Sequence, residues 1–153
     1  MRSLVLFIAL VLSTAGLLLM ASSSPATHLI MADVDIVEEK DCALVTVQFS
    51  FPVRYKNHFP YSKGDDLRIQ LDPVVTSSAD REVLFSRETV LPPPNEIAAL
   101  TEVIYEGNVQ GGPFLTLFFK RTVAFEVEQG SDYRSLVIAV SDPDKAGACS
   151  AEP

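Results

Sequence analysis

"FFKRTVAFEVEQGSDYRSLVIAV", residues 118–140, alternates apolar and polar side chains on both sides of a Gly-containing turn. This alternation is typical of two half-buried β-strands that are joined by a turn. An earlier stretch, "QFSFPVRYKNHFPYSKGDDLRIQL" at residues 48–71, carries a similar alternation. The two stretches together raise the question of whether the chain is built from one strand unit used twice.

The two stretches can be overlaid with an offset of 70 residues, which shortens by one after the turn. The matched positions are Val45, Thr46, Val47, Phe49, Val53 and Tyr55 against Leu115, Thr116, Leu117, Phe119, Val123 and Phe125, followed by residues 67–71 against residues 136–140. Any two alternating strands can be aligned in this way, so a duplication and a coincidence both remain open. In either case the inward positions match, and two such units could pack face to face.

The rest of the chain predicts further short strands and no helix of three turns. Alternation marks residues 43–51 and 67–71, while "EVLFSRETV" and "IAALTEVIYEGN" each predict one strand. The "LPPPN" segment at residues 91–95 is expected to be an extended connection, because three prolines cannot sit in a central strand. We therefore expect an all-β fold, a small β-sandwich of about six to eight strands that can include two pseudo-repeated strand units.

The N-terminus carries one basic residue, Arg2, followed by the uncharged run "LVLFIALVLSTAGLLLMA" and the small residues "SSSPAT". This pattern is typical of a secretory signal peptide, here assigned to residues 1–26. An uncleaved membrane anchor is the alternative, because about 18 apolar residues can just span a bilayer. We expect the β-sandwich at residues 27–145 and a C-terminal tail at residues 146–153.

The composition bounds the partners. The chain has 12 basic and 20 acidic residues, a formal net charge of −8, and loss of Arg2 with the signal makes this about −9. An acidic protein is repelled by nucleic acid and by anionic lipid, so we expect no nucleic-acid partner. Membrane association is expected only through an uncleaved signal.

The chain contains two cysteines, Cys42 and Cys149. Export would place them in an oxidising compartment, where disulfides persist. A bridge would tether the tail to an early strand, whereas the alternative is two free thiols. We expect the bridge.

Residues suited to catalysis or metal binding are few. His28 and His58 are the two histidines, and the sequence contains no G-x-S-x-G, H-E-x-x-H or C-x-x-C motif. The acidic stretch "DVDIVEEKD" at residues 33–41 lacks the glycine and the spacing of a calcium loop and is expected to be a solvated strand face. We expect no enzymatic activity, no cofactor and no metal; an enzyme would have to use His58.

The stretch "RYKNHFPYSK" at residues 54–63 combines basic and aromatic side chains within an acidic chain. Aromatic rings stack on sugars, and cations pair with carboxylates, so this stretch is the predicted ligand-binding loop. Its proposed binding residues are Arg54, Tyr55, Lys56, His58, Tyr61 and Lys63. The alternative is that Tyr55 and Phe59 cap the core while the cations are solvated.

The pattern in which Arg121 precedes "V-x-F-x-V", and a loop leads to "S-L-V-I-x-V", is similar to the AMIN domain. The resemblance covers roughly residues 29–141, and the "NHFPYSKGDD" and "LPPP" segments are not part of that pattern. AMIN domains are small β-sandwiches of exported bacterial cell-envelope proteins, including cell-wall amidases and type IV pilus secretins. They target their host protein to the wall.

These observations lead to an expected function. We expect a non-enzymatic binding module of the periplasm or cell envelope that recognises peptidoglycan or an envelope protein. The alternative is a structural adaptor or chaperone-like subunit that pairs a partner by β-strand addition.

Overall fold

The computed structural model describes residues 30–74, 82–145 and 149–151. The predicted signal peptide at residues 1–26 lies outside the described residues, as do parts of the predicted tail. Eight strands are present: β1 (Met31–Glu39), β2 (Cys42–Phe49), β3 (Val53–Phe59), β4 (Lys63–Pro73), β5 (Arg87–Val90), β6 (Leu100–Glu106), β7 (Phe114–Gln129) and β8 (Ser135–Ser141). A 3₁₀ turn at Pro143–Lys145 follows. The predicted all-β class and the strand number are confirmed.

The strands form one antiparallel sheet that folds over along β7, which is 16 residues long. Residues 114–119 of β7 pair with β6, and residues 124–129 pair with β8. Strand β4 pairs with residues 114–118 and again with Val123 and Ala124. One half of the sheet therefore has the order β1-β2-β8-β7, and the other has the order β5-β6-β7-β4-β3. Inward side chains of both halves form one hydrophobic core, the arrangement of a β-sandwich.

The pairing register repeats as the sequence overlay suggests. Val45 of β2 pairs with Ile138 of β8, and their counterparts Leu115 of β7 and Ile69 of β4 pair with each other. The same holds for the neighbouring pairs Val47–Leu136 and Leu117–Leu67. Each half of the sheet thus contains the first strand of one unit and the last strand of the other.

The repeat extends to β1 and β6, which the overlay did not include. Met31 pairs with Phe49, and Leu100, 69 residues later, pairs with Phe119. Both strands shift register immediately afterwards, β1 before Asp33 and β6 before Glu102. The pseudo-repeated unit is therefore four strands, β1 to β4 against β6, the two parts of β7, and β8, and β5 stands outside it.

The segment before β5 differs from the sequence prediction. Residues 82–84 form a helical turn, and the strand predicted from "EVLFSRETV" is confined to Arg87–Val90. Ser86 stabilises this turn, because its hydroxyl and its backbone N–H both donate to the carbonyl oxygen of Val83, at 2.7 and 3.0 Å. Such local hydrogen bonds compete with strand pairing, and periodicity does not reveal them.

The tail is attached by the predicted bridge. Cys42, at the start of β2, forms a disulfide with Cys149, across a sequence separation of 107 residues and with 5.2 Å between the Cα atoms. Ala151, just beyond it, is fully buried. The tail therefore lies against the β2–β8 half of the sandwich, and a cross-link over so long a loop restricts the unfolded chain strongly.

Candidate functional site

The predicted binding loop at residues 54–63 is mostly strand. Strand β3 continues to Phe59, and only residues 60–62 form the turn to β4. Gly64 permits this tight connection, because an added Cβ would lie 2.8 Å from the backbone oxygen of Asp66 and 2.9 Å from the Pro60 ring. The prediction of a long loop was wrong, because cross-strand pairing with β4 extends β3 beyond the point where its alternation fades. We call residues 53–73 the β3–β4 hairpin.

Two of the six predicted residues hold the hairpin in place. The Tyr55 hydroxyl lies 2.7 Å from Nδ1 of His58, and Nε2 of His58 lies 3.0 Å from the carbonyl oxygen of Tyr61. A carbonyl oxygen only accepts, so Nε2 donates to it, and in the neutral imidazole Nδ1 then accepts from the Tyr55 hydroxyl. The His58 ring also packs edge-on against Phe125, with 6.2 Å between the ring centroids. Partial burial raises the pKa of Tyr55 above its ordinary value.

A third predicted residue, Arg54, is engaged by its cross-strand neighbour. Its guanidinium lies 2.8 Å from the carboxylate of Asp72, and both side chains are exposed. Such a pair contributes little to stability, but it reduces the charge that Arg54 presents to a ligand.

The remaining side chains of the hairpin face solvent. Lys56 and Lys63 are exposed and form no ion pair within the described part of the chain. Tyr61 is 81% exposed and lies edge-on to Phe59, which is 70% exposed, with 6.3 Å between the ring centroids. We call Phe59 and Tyr61 the aromatic tip. Of the six residues predicted for the site, Lys56, Tyr61 and Lys63 are free to meet a ligand.

Phe59 was assigned to the core by the alternative interpretation of the sequence and was not among the predicted site residues. Its backbone pairs with Arg68 on the outer face of the sheet, so its ring points away from the core. A register shift between Tyr55 and Asn57 changes the alternation along β3. The sequence contains no signal for that shift.

A groove of about 360 Å³ lies between the hairpin and the outer face of β7 and β8. The backbone N–H of Phe125 donates to the carbonyl oxygen of Ser62 at 2.9 Å and fixes the turn beside this face. The groove is lined by His58, Tyr61, Ser62, Ala124, Phe125, Glu126, Val127, Ala139, Ser141 and Cys149. The exposed ring of Tyr61 therefore borders a recess that small and hydroxyl-bearing side chains also line.

The acidic stretch of β1 has a structural role that the sequence did not reveal. The carboxylate of Glu38 accepts hydrogen bonds from three successive backbone N–H groups, those of Glu96, Ile97 and Ala98, at 3.0, 2.7 and 3.0 Å. This contact fastens β1 to the loop before β6. Among the described residues, no group of three or more His, Cys, Asp or Glu side chains is arranged to hold a metal ion.

At two edges of the sheet, side chains accept hydrogen bonds from backbone N–H groups that a further strand would otherwise use. At the start of β1, the Glu88 carboxylate accepts hydrogen bonds from the N–H groups of Ile30 and Met31 at 2.9 and 3.0 Å. At the start of β3, the N–H of Tyr55 donates to the side-chain oxygen of Gln129 at 2.7 Å. Both edges are therefore partly covered, a common way of limiting edge-to-edge association.

Comparisons of the chain with family models, with curated proteins and with solved structures found no match. The described residues include no helix long and apolar enough to cross a membrane. The disulfide is compatible with an oxidising compartment.

Proposed function

We propose that this chain is a non-enzymatic binding module of the bacterial periplasm or cell envelope, and that it recognises peptidoglycan through the β3–β4 hairpin. The observation that carries the proposal is the aromatic tip. Phe59 and Tyr61 are two large rings held at the end of a strand pair, largely exposed and flanked by the cations Lys56 and Lys63. Single exposed rings are ordinary on a protein surface, but two adjoining rings form an apolar patch, and exposed apolar patches mark interaction sites.

The chemistry of the tip suits a wall polymer. Aromatic faces offer stacking surfaces to the apolar faces of sugar rings, and ammonium groups pair with the carboxylates of wall peptides. The hairpin is also held before a ligand arrives, because Tyr55, His58 and Phe125 pack under it. A preorganised site loses less conformational entropy on binding.

The charge of the protein limits the expected affinity. The chain carries a net charge of −8, and Asp65 and Asp66 lie two and three residues after Lys63. Attraction to an anionic polymer therefore depends on a few local cations, whose field is screened within about 8 Å at physiological salt. We expect binding that is modest and that weakens as salt is raised.

Strand addition to a partner, the other expectation from the sequence, has less support. Glu88 and Gln129 already occupy backbone donors at the starts of β1 and β3. A partner strand would have to displace these side chains. The protein would then lose the hydrogen bonds that Glu88 and Gln129 make.

Co-sedimentation with purified peptidoglycan tests the proposal. The mature protein is expected to pellet with the polymer at low salt and less at moderate salt, and the variant Phe59→Ala/Tyr61→Ala is expected to remain in the supernatant. Tyr133→Ala is the matched control, because Tyr133 is also an exposed tyrosine, 60% accessible, on the turn between β7 and β8. Equal binding by the tip variant and the control, or no binding by the unaltered protein, would overturn the proposal.

A further inference from the structure

We propose that the groove between the β3–β4 hairpin and the outer face of β7 and β8 is a subsite for one hydroxyl-bearing sugar ring. The inference rests on the proposed function in one respect, namely that the hairpin is the binding element. It adds the place and the chemical class of the bound group.

The groove exists because the two pseudo-repeated units differ at two outward positions. Ala124 and Ser141 form a cross-strand pair at the groove. Their counterparts, 70 and 69 residues earlier, are Arg54 and Asp72, which also pair and whose side chains meet at 2.8 Å. Two small side chains therefore stand where the other unit has an ion pair that fills the same space.

A third position follows the same rule. Ala139 lines the groove, and its counterpart in the other unit is Gln70. The Gln70 side chain spans the outer face, because its amide donates to the carbonyl oxygen of Gly111 and its oxygen accepts from Asn57 at 2.9 Å. The unit that carries the groove has only small side chains at these three positions, so the recess is a departure from the repeat.

The groove contains a hydroxyl group that a ligand can reach. Ser141 is 3% exposed and lines the groove, and its hydroxyl makes no hydrogen bond to any described residue. No fully buried side-chain oxygen or nitrogen among the described residues lacks a hydrogen-bond partner, so the Ser141 hydroxyl oxygen is open to the groove. A ligand hydroxyl can therefore bond to it.

The other walls favour a sugar over an acidic peptide. The exposed Tyr61 ring stands at one side and can stack on the apolar face of a sugar, while the Glu126 carboxylate can accept hydrogen bonds from its hydroxyls. A ligand carboxylate in the same place would meet Glu126 and be repelled. The volume of about 360 Å³ lies at the lower end of ligand sites and suits one ring.

The test uses the mature protein and two soluble probes prepared from peptidoglycan by amidase digestion, namely peptide-free glycan strands and the released peptides. Amide NMR signals are followed during titration with each. The glycan strands are expected to shift the signals of Ala124, Glu126, Ala139 and Ser141, and the peptides are expected to leave them unchanged. Shifts at these residues with the peptides alone, or with neither probe, would overturn the inference.

Substitutions that copy the other unit provide a second arm. Ala124→Arg/Ser141→Asp introduces at the groove the ion pair that Arg54 and Asp72 form in the other unit. Ala139→Gln introduces there the side chain of its counterpart, Gln70. Each is expected to weaken glycan binding at least about tenfold by filling the groove, and Ser141→Asp also removes the Ser141 hydroxyl. Val137→Gln, at the next outward position of β8 and outside the groove lining, is the matched control and is expected to bind normally. Circular dichroism and thermal unfolding establish that each variant is folded.

The two proposals fail differently. Peptidoglycan binding that requires the aromatic tip but is unchanged in both groove-filling variants would contradict the sugar subsite and leave the proposed function in place. Glycan-induced shifts in the groove without co-sedimentation would contradict wall recognition and leave the subsite.

Discussion

The β3–β4 hairpin and the β7–β8 hairpin occupy counterpart positions in the two units, yet their turns are built differently. The turn between β7 and β8 is fixed by Asp132, whose carboxylate accepts from the N–H of Arg134 and the hydroxyl of Ser135, both at 2.8 Å. The Arg134 guanidinium also donates to the carbonyl oxygen of Ser50 at 2.8 Å. The β3–β4 turn is held by contacts of its backbone with His58 and Phe125 instead, and it carries two adjoining exposed rings, Phe59 and Tyr61. The β7–β8 turn carries the single exposed ring of Tyr133.

This difference separates scaffold from site. The inward residues of the two units pair in the same register and form one core, so they account for the fold. The outward residues are under no such constraint, and there the units diverge. The first unit carries the aromatic tip, and the second carries the turn held by Asp132 and the small side chains that line the groove. Ligand recognition is therefore expected where counterpart positions differ in size or charge, as Ala124 and Arg54 do.

The largest expected effect concerns the disulfide, which joins the tail to one half of the sandwich only. Cys42→Ser/Cys149→Ser is expected to lower the free energy of unfolding by about 4–5 kcal/mol, because the bridge closes a loop of 107 residues in the unfolded chain. Urea denaturation measures the change, and the reduced unaltered protein should unfold at a similar urea concentration. A loss below about 1 kcal/mol would mean that the tail is held by its packing alone.

The core provides a direct comparison of the two units. Ile69 and Ile138 are counterparts, and both are fully buried. Ile69→Ala and Ile138→Ala are each expected to cost about 2–5 kcal/mol, with similar values because the two environments repeat. Denaturant unfolding tests this, and costs that differ by more than about 2 kcal/mol would argue against equivalent packing in the two units.

The smallest expected effect concerns the β7–β8 turn and depends on pH. Hydrogen bonds from the backbone of Arg134 and from Ser135 hold the pKa of Asp132 below its ordinary value. A carboxyl whose pKa is lower in the folded state stabilises the fold above its unfolded pKa, about 4, and this contribution is lost as pH falls through the folded pKa. Because Asp132 is exposed, solvent screens these contacts, and Asp132→Asn is expected to destabilise by less than about 1 kcal/mol at neutral pH.

Thermal unfolding of Asp132→Asn and of the unaltered protein at pH 7 and at pH 3 measures this dependence. The difference between the two proteins should shrink at the lower pH. The tip variant Phe59→Ala/Tyr61→Ala should show no comparable change between the two pH values, because its substitutions remove exposed rings. A constant difference for Asp132→Asn would show that the charge of Asp132 is not what fixes the turn.

The sequence predicted much of the scaffold because buried strands alternate. Val45 and Val47 marked β2, Ile69 marked β4, and the overlay anticipated which inward positions of the two units match. It did not anticipate that the first strand of each unit pairs with the last strand of the other. It did not predict the helical turn at residues 82–84, which depends on local hydrogen bonds of Ser86.

Prediction of the candidate site was less complete. Composition identified Tyr61 and the two lysines, since an aromatic and basic stretch stands out in an acidic chain. It did not show that Arg54 is already engaged, because the ion pair of Arg54 with Asp72 depends on cross-strand register. Nor did it indicate the groove, because Ala124 and Ser141 carry no chemical signal until the fold places them opposite the hairpin.

In our proposal, ligand recognition resides in the β3–β4 hairpin and not in the turn of its counterpart, the β7–β8 hairpin. Hydrogen–deuterium exchange of the mature protein, with and without purified peptidoglycan, tests it within a single sample. Binding is expected to slow exchange at residues 56–63 and to leave exchange at residues 130–134 unchanged. Equal protection of both hairpins, or protection of residues 130–134 alone, would contradict it.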